Sequence, residues 1–449
     1  MTLALIILAA GKGTRMRSDL PKVLHPIAGA PLVVHALEAG TPLSPSRRVV
    51  VAGHGADLVR DRVQAHDPSV EVVLQVEQLG TAHAVDQARA ALAEFEGDAI
   101  VLYGDTPFVS VDTLRAMQAA RADGADVVML GFEAAVPGKY GRLVVENDRL
   151  ISIVEAKDAT LEQLEITLCN SGVVCADSAT LFDLIAQVGN DNASGEYYLT
   201  DIVSIANAAG KQCAAVTCDE TETLGVNSRI DLAGAEAVFQ AQRRQQAMAE
   251  GATLVAPETV QFAYDTQVGR DVLIEPNVVF GPGVVIEDGV TLRAFSHFEG
   301  CRVGQGSVVG PYARLRPGSE LAENVKIGNF VETKKVQIAA GAKVNHLSYI
   351  GDATVGAEAN IGAGTITCNY DGVLKHQTII GEKAFIGSNS SLVAPVSIGA
   401  EALVGAGSVI AADVPEGALA VTRAKQENKP GLARRLRARL LDIKAKALK

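Results

Sequence analysis

Hydrophobic positions along this chain follow two different rules. Up to about residue 226, short apolar runs such as "LALIILAA", "RRVVVAG", "EVVLQV", "DAIVLYGD" and "DVVMLGFEA" alternate with longer stretches of helical period such as "PLVVHALEAG" and "GTAHAVDQARAALAEF". Runs that are apolar at every position fit strands covered on both faces. Their alternation with helices predicts an α/β domain with a mostly parallel sheet. Residues 227–250 read as one polar, alanine-rich helix that ends at Gly251 and connects two domains.

Beyond that helix the apolar period becomes six. Aliphatic or aromatic residues recur at Val268, Ile274, Phe280, Ile286, Leu292 and Phe298, and after a one-residue slip at Val303, Val309, Leu315, Leu321 and Ile327. The series resumes at Ile338, Val344 and Ile350, then Val355 and Ile361, and closes with Ile380, Ile386, Leu392, Ile398, Val404 and Ile410. Neither a helix nor an ordinary strand keeps such a period. A hexapeptide β-helix does, because each hexad forms one flat face, three hexads close a coil, and inward aliphatics stack from coil to coil. Glycine often follows the aliphatic, as in "IGNFVE" and "IGAGTI", where a corner is expected to need a permissive backbone. Two interruptions stand out: "VETKKVQI" after residue 327, where the hexad fit is sparse, and the insert "CNYDGVLKHQT" at 368–378. Insertions in a solenoid tend to mark its functional face. The basic tail "GLARRLRARLLDIKAKALK" reads as a solvated terminal helix.

The chain has 449 residues, enough for two or three domains, with 48% hydrophobic and 20% charged residues. It has no tryptophan and 43 glycines, a balance that suits a repeat packed by small aliphatics. A net charge of −12 argues against general nucleic-acid binding while leaving room for local basic pockets that hold anionic metabolites. No apolar stretch reaches the roughly 18 residues of a membrane span, so no membrane partner and a cytoplasmic location are expected. Six scattered cysteines without a CxxC pair read as free thiols in a reducing compartment.

The chemistry begins at "LAAGKGTRMRSDLPKVLHPIAG", residues 8–29, directly after the first apolar run. A secretory signal would carry its positive charge before the apolar run and small residues after it; the order here is the reverse. A strand that delivers Gly11 and Gly13 to a turn can instead bring backbone N–H groups close to an anion, with Thr14, Arg15 and Lys22 adding a hydroxyl and two cations. Ligands of such sheets gather at the carboxyl ends of strands, where "YGD" at 103–105 also lies.

This opening stretch resembles the signature of sugar-1-phosphate nucleotidylyltransferases. Together with "QLGTAHA" at 78–84, "YGDTP" at 103–107, "YGR" at 140–142, "SGEYYLTD" at 194–201, and "NHLSYIGD" and "GAGTITCNYDG" in the repeats, the whole chain is similar to the bifunctional N-acetylglucosamine-1-phosphate uridyltransferase/glucosamine-1-phosphate acetyltransferases. The resemblance implies an α/β, Rossmann-like nucleotidyltransferase domain at 1–226, a linker helix at 227–250, and a left-handed parallel β-helix acetyltransferase domain at 251–449 that assembles as a homotrimer. It implies UTP, glucosamine-1-phosphate, N-acetylglucosamine-1-phosphate and acetyl-CoA as small-molecule partners, acetyl-CoA being a cosubstrate, with Mg2+ as cofactor. By the same resemblance Leu8, Ala9, Ala10 and Gly11 hold the nucleotide through backbone contacts, and Arg15 and Lys22 are catalytic cations. Gln75, Gly80 and Thr81 read uracil, while Tyr103, Gly104, Gly141, Glu155 and Asn170 contact nucleotide or sugar. Asp105 and Asn227 match Mg2+ ligands, as suits a hard cation that takes oxygen donors; read alone, Asp105 fits a turn cap and Asn227 the cap of the linker helix.

In the repeats the resemblance makes His346 the general base for the sugar amine, a task suited to an imidazole near neutral pH. Arg316, Lys334, Tyr349 and Asn360 match contacts to glucosamine-1-phosphate, and Ala363, Asn369, Tyr370, Ser388, Ala406 and Arg423 match the lining of the acetyl-CoA site. The sequence departs from some relatives at Ala82, where a glycine stands in "GTGHA", and at Thr106, where an aliphatic stands. Two other readings predict different behaviour: a nucleotidyltransferase for another sugar with a regulatory β-helix, such as a glucose-1-phosphate adenylyltransferase, and a solenoid serving only as a trimerisation scaffold.

Overall fold

The computed structural model describes residues 2–147 and 149–447. The chain forms two compact units, one running to Gln245 and including Phe262–Tyr264, the other comprising Gln246–Gln261 and everything from Asp265 onward.

The first unit is built on a mixed sheet of β1 (Leu3–Ala9), β2 (Arg47–Ala52), β3 (Glu71–Leu74), β4 (Asp98–Tyr103), β5 (Val127–Glu133), β6 (Arg142–Glu146), β7 (Arg149–Val154), β8 (Leu168–Asp177) and β9 (Cys213–Cys218). The order across the sheet is β9-β5-β8-β4-β1-β2-β3, with β6 and β7 as a hairpin beside β8. β1 pairs parallel with β2 and β4, β2 with β3, and β5 with β9, whereas β8 runs antiparallel to both β4 and β5. The unbroken apolar runs have a direct explanation. Ala4, Ile6 and Leu8 face one core layer, and Leu3, Leu5, Ile7 and Ala9 face the other, so no position of β1 is left for a polar residue. The helical stretch predicted over 80–95 is shorter than its pattern, with an α-helix at Thr81–Asp86 and a 3-10 turn at Ala90–Leu92.

The helix predicted over 227–250 spans Arg229–Ala249. In the second unit, two-residue to seven-residue strands stack in parallel coils. Three columns of inward residues run through it. One passes Ile274, Leu292, Val309, Ile327, Val344, Ile361, Ile386 and Val404. A second passes Ile286, Val303, Leu321, Ile338, Val355, Ile380 and Ile398. The third passes Phe280, Phe298, Leu315, Thr333 and Ile350, and Thr367, Leu392 and Ile410 continue that face.

This third column explains the sparse hexad. Thr333 and Thr367 are fully buried where an aliphatic is expected, and their hydroxyls find partners inside the coil: Thr333 with Ser319 Oγ at 2.9 Å, Thr367 with the N–H of Gly351 at 2.8 Å. The glycines after the aliphatics serve a different need from the one expected. Gly328, Gly362 and Gly387 do not have positive φ; a Cβ on Gly328 would meet the Asn345 carbonyl at 1.9 Å, and one on Gly387 the Ala406 nitrogen at 2.4 Å. Adjacent coils approach too closely there for any side chain. The tail forms a helix over Leu432–Ala447 with no buried residue, and the last two positions of that expected helix lie outside the described residues. No helix among the described residues is long and apolar enough to cross a membrane.

Candidate active sites

In the first unit a cavity of about 340 Å³ opens at the carboxyl ends of β1 and β4. Its lining includes Leu8, Ala9, Ala10, Gly11, Lys22, Gln75, Gly80, Thr81, Tyr103 and Asp105. Gly104 N–H donates to the Leu8 carbonyl at 2.9 Å, tying the two strand ends together. Gly13 has a φ of 59°, and a Cβ on it would meet Lys22 Cβ at 2.5 Å, so the loop closes against the Lys22 stem only because Gly13 has no side chain. Gly11 is different: nothing in the protein lies within 4 Å of where its Cβ would be, and that space belongs to the cavity. Arg15 is exposed on the 3-10 turn Thr14–Met16 and does not line the cavity.

Lys22 is the centre of the polar arrangement. Its ammonium, mostly buried, donates to Asp105 Oδ2 in a short ion pair and to Asn227 Oδ1 at 3.0 Å. Asn227 arrives there because the neighbouring Val226 N–H donates to the Asp105 carbonyl at 2.9 Å. Two hard oxygen donors, distant in sequence, thus converge on one cation. That donor set fits Mg2+, whose remaining positions are commonly filled by phosphate and water. Among the described residues no group of three or more His, Cys, Asp or Glu side chains could hold a metal ion.

A second cluster gathers Gly141, Glu155 and Asn170. Asn170 N–H donates to the Gly141 carbonyl at 2.8 Å, and a Cβ on Gly141 would lie 3.4 Å from Glu155 Oε1. Burial pushes the Glu155 carboxyl above its usual range; the Thr200 hydroxyl pulls it down, and Asp158 and Asp201 add to the rise. Asp201 is raised by burial and by Asp158. The Tyr103 phenol is pushed up by burial and by the Asp105 and Glu155 carboxylates, so it remains a neutral donor. Its ring lies on Gly172, where a Cβ would approach it to 2.7 Å.

In the second unit His346 and Asn329 are paired neighbours on adjacent coils. His346 Nδ1 and Asn329 Oδ1 are 2.8 Å apart, and among the described residues Nε2 has no partner. The ladder also pairs Glu332 with Tyr349 and Lys334 with Gly351. Arg316 donates to Glu332 Oε1 at 2.8 Å. Lys334 lies against Lys375, whose amine holds the Lys334 ammonium below the usual lysine range, with Arg316 acting in the same direction and Asp352 against it. Two half-buried cations, Arg316 and Lys334, and the exposed Lys375 thus gather in one part of the solenoid. Asn360 stands in a different column, opposite Lys343, and has no direct bond to this group.

Of the residues matched to acetyl-CoA, Asn369 donates to Asp352 Oδ2 at 2.5 Å and Tyr370 to the Gly372 carbonyl at 2.5 Å, both within the insert. Arg423 donates to the Ala406 carbonyl at 2.5 Å, and Ser388 accepts from Gly407 N–H. Ala363 joins the two groups, because its neighbour Gly364 donates to the His346 carbonyl and its own carbonyl accepts from Asn389. Sequence reasoning missed Asn329, Glu332 and Lys375. Asn329 and Glu332 bracket Phe330 and Val331 in the sparse hexad, and Lys375 lies in the insert, so the interruptions themselves were the available signal.

This geometry defines a class: a nucleotidyltransferase-type sheet with a polar cavity at its strand ends, followed by a hexapeptide β-helix. Residues 5–219 match the MobA-like NTP transferase domain, 265–300 the bacterial transferase hexapeptide (six repeats), and 377–412 the hexapeptide repeat of succinyl-transferase. The chain is 62% identical over 442 residues to the bifunctional protein GlmU of Jannaschia sp., a match that covers 98% of this chain and 97% of that protein. Bifunctional GlmU proteins of Roseobacter denitrificans and Sphingopyxis alaskensis are 63% and 57% identical, covering 97% of both chains in the first case and 96% in the second. The chain belongs to the bifunctional GlmU family.

Proposed function

We propose that the chain makes UDP-N-acetylglucosamine in two steps, acetylating glucosamine-1-phosphate from acetyl-CoA and then transferring uridylyl from UTP to N-acetylglucosamine-1-phosphate. The observation that carries this reading is the presence, in one chain of this family, of an ammonium bridging Asp105 and Asn227 in a nucleotide-sized cavity and of an imidazole oriented by Asn329 with its Nε2 uncommitted.

In the first step Asn329 orients the His346 ring by accepting from Nδ1–H, and Nε2 removes a proton as the sugar amine attacks the thioester carbonyl. The C–S bond breaks and coenzyme A leaves as its thiol. Arg316, Lys334 and Lys375 hold the sugar phosphate, and the insert carrying Asn369 and Tyr370, with Ser388, Ala406 and Arg423, holds the cofactor. In the second step an oxygen of the sugar phosphate attacks the α-phosphorus of UTP in line and pyrophosphate departs. Lys22 neutralises charge that develops on the phosphates, and backbone from Leu8 to Gly11 cradles them. Mg2+, held by Asp105 and Asn227, would neutralise phosphate charge and align the reacting groups. Arg15 reaches the phosphates only if its turn moves inward. A homotrimer in the cytoplasm fits the hexapeptide repeat and the free thiols of all six cysteines.

The test is mass-spectrometric product analysis with glucosamine-1-phosphate, acetyl-CoA, UTP and Mg2+, each omitted in turn. Nucleotide sugar that needs all four supports the reading. Absence of any acetylated product would favour the scaffold alternative.

A further inference from the structure

We propose that His83 sets nucleobase selectivity at a distance, by fixing which end of the Gln75 amide faces the nucleotide cavity. The inference rests on the reading that Gln75 meets the base. Gln75 follows β3, is only 4% exposed, and lines the cavity; its N–H donates to the Ala52 carbonyl at 2.8 Å. The side-chain nitrogen has two partners, the Gly80 carbonyl at 3.2 Å and His83 Nδ1 at 3.1 Å.

A carbonyl oxygen can only accept, so the atom facing Gly80 must be the NH2 group. Its second proton points to His83, which requires Nδ1 to be unprotonated and the ring proton to sit on Nε2. Both amide protons are then spent, and Oε1 is the group left for a ligand, with no donor among the described residues reaching it. On the other side of the ring, Nε2 faces the Gln87 amide nitrogen at 3.3 Å, and that NH2 group donates to the His83 backbone carbonyl at 3.0 Å, the shorter of its two contacts.

An acceptor held in this way favours a base that presents an N–H. Uracil does so at N3; cytosine presents a bare nitrogen there, which would face Oε1 lone pair to lone pair. If the amide flipped, the preference would invert, and Oε1 would then oppose two acceptors, Gly80 O and His83 Nδ1. His83 therefore acts as a positioning residue. It does not line the nucleotide cavity but a separate hollow of about 280 Å³ with Leu79, Asp86, Arg89 and Tyr197. The fold supplies the spacing: Gly80, with a φ of 125° and no room for a Cβ against Tyr197, starts the helix Thr81–Asp86 so that its first turn carries His83 back to Gln75.

The experiment compares kcat/KM for UTP and CTP in the full-length protein and in His83→Ala, His83→Asn, His83→Gln and Gln75→Ala. Asparagine places an acceptor near the Nδ1 position and glutamine near Nε2. The expected result is that His83→Ala and His83→Gln narrow the UTP/CTP ratio about tenfold, His83→Asn restores it, and KM for N-acetylglucosamine-1-phosphate stays unchanged throughout. An unchanged ratio in His83→Ala, or an Asn variant as unselective as Ala, overturns the proposal. Gln75→Ala separates the two levels. If it narrows the ratio while His83→Ala does not, base reading by Gln75 stands and only the role of His83 fails; if it leaves the ratio intact, base reading by Gln75 fails first.

Discussion

His346 and Asn329 face each other across adjacent coils, with Nδ1–H of the imidazole donating to the amide oxygen at 2.8 Å. The bond selects the tautomer in which Nε2 is the basic nitrogen. Replacing Asn329 by alanine should lower kcat for acetyl transfer by about tenfold to a hundredfold, with KM for glucosamine-1-phosphate little changed. Replacing His346 by alanine should cost about 10²- to 10⁴-fold. Thiol release from acetyl-CoA measures both, and uridylyl transfer by the same preparations should be unaffected.

The oxygen pair on Lys22 makes a second prediction. Asp105→Ala should lower metal-dependent uridylyl transfer by about 10²-fold or more while sparing acetylation. Asn227→Ala should instead raise the Mg2+ concentration needed for half-maximal pyrophosphate release. A Mg2+ titration that is superimposable for wild type and Asn227→Ala would exclude Asn227 as a ligand.

Lys375, exposed and pointed to by no motif, stands beside the half-buried Lys334. Lys375→Ala should raise KM for glucosamine-1-phosphate about tenfold with little change in kcat, since a charge-assisted bond to phosphate contributes to binding in ground and transition states alike. An unchanged KM would remove Lys375 from the phosphate site.

Glu155 and Asp201 make a pH prediction for the first unit. Burial raises both carboxyl groups above their usual values, so the fold favours their neutral forms. Their contribution to stability is therefore fully present below the ordinary carboxylate range and is lost as pH rises through the raised values. Relative to Glu155→Gln, which cannot ionise, the wild-type unfolding temperature should fall as pH rises from about 4.5 and level off once Glu155 is charged. Calorimetry of the two proteins between about pH 4 and about pH 8 checks this; parallel curves would contradict it.

Much of the architecture was legible because it rests on repeated burial. β1 reads as a continuous apolar run since both of its faces are covered, and the six-residue period marks the inward column from Leu292 through Val404 because every coil buries one residue per face. The pattern failed where burial was met by polar residues. Thr333 and Thr367 are inside the solenoid, and hydrogen bonds rather than hydrophobicity permit it. The antiparallel β8 and the hairpin β6–β7 also went unread, since strand direction depends on partners remote in the chain.

The sequence by itself determined the apolar columns of the core, the change of period near residue 250, and, through its motifs, the family and the two kinds of chemistry. Only the tertiary structure decided the pairings: Lys22 with Asp105 and Asn227, His346 with Asn329, Lys334 with Lys375, Gln75 with His83. Burial leaves a periodic trace in one chain because it acts on every turn of a regular element. A hydrogen bond or ion pair between residues as far apart as 22 and 227 leaves none, because its geometry exists only after the backbone has closed.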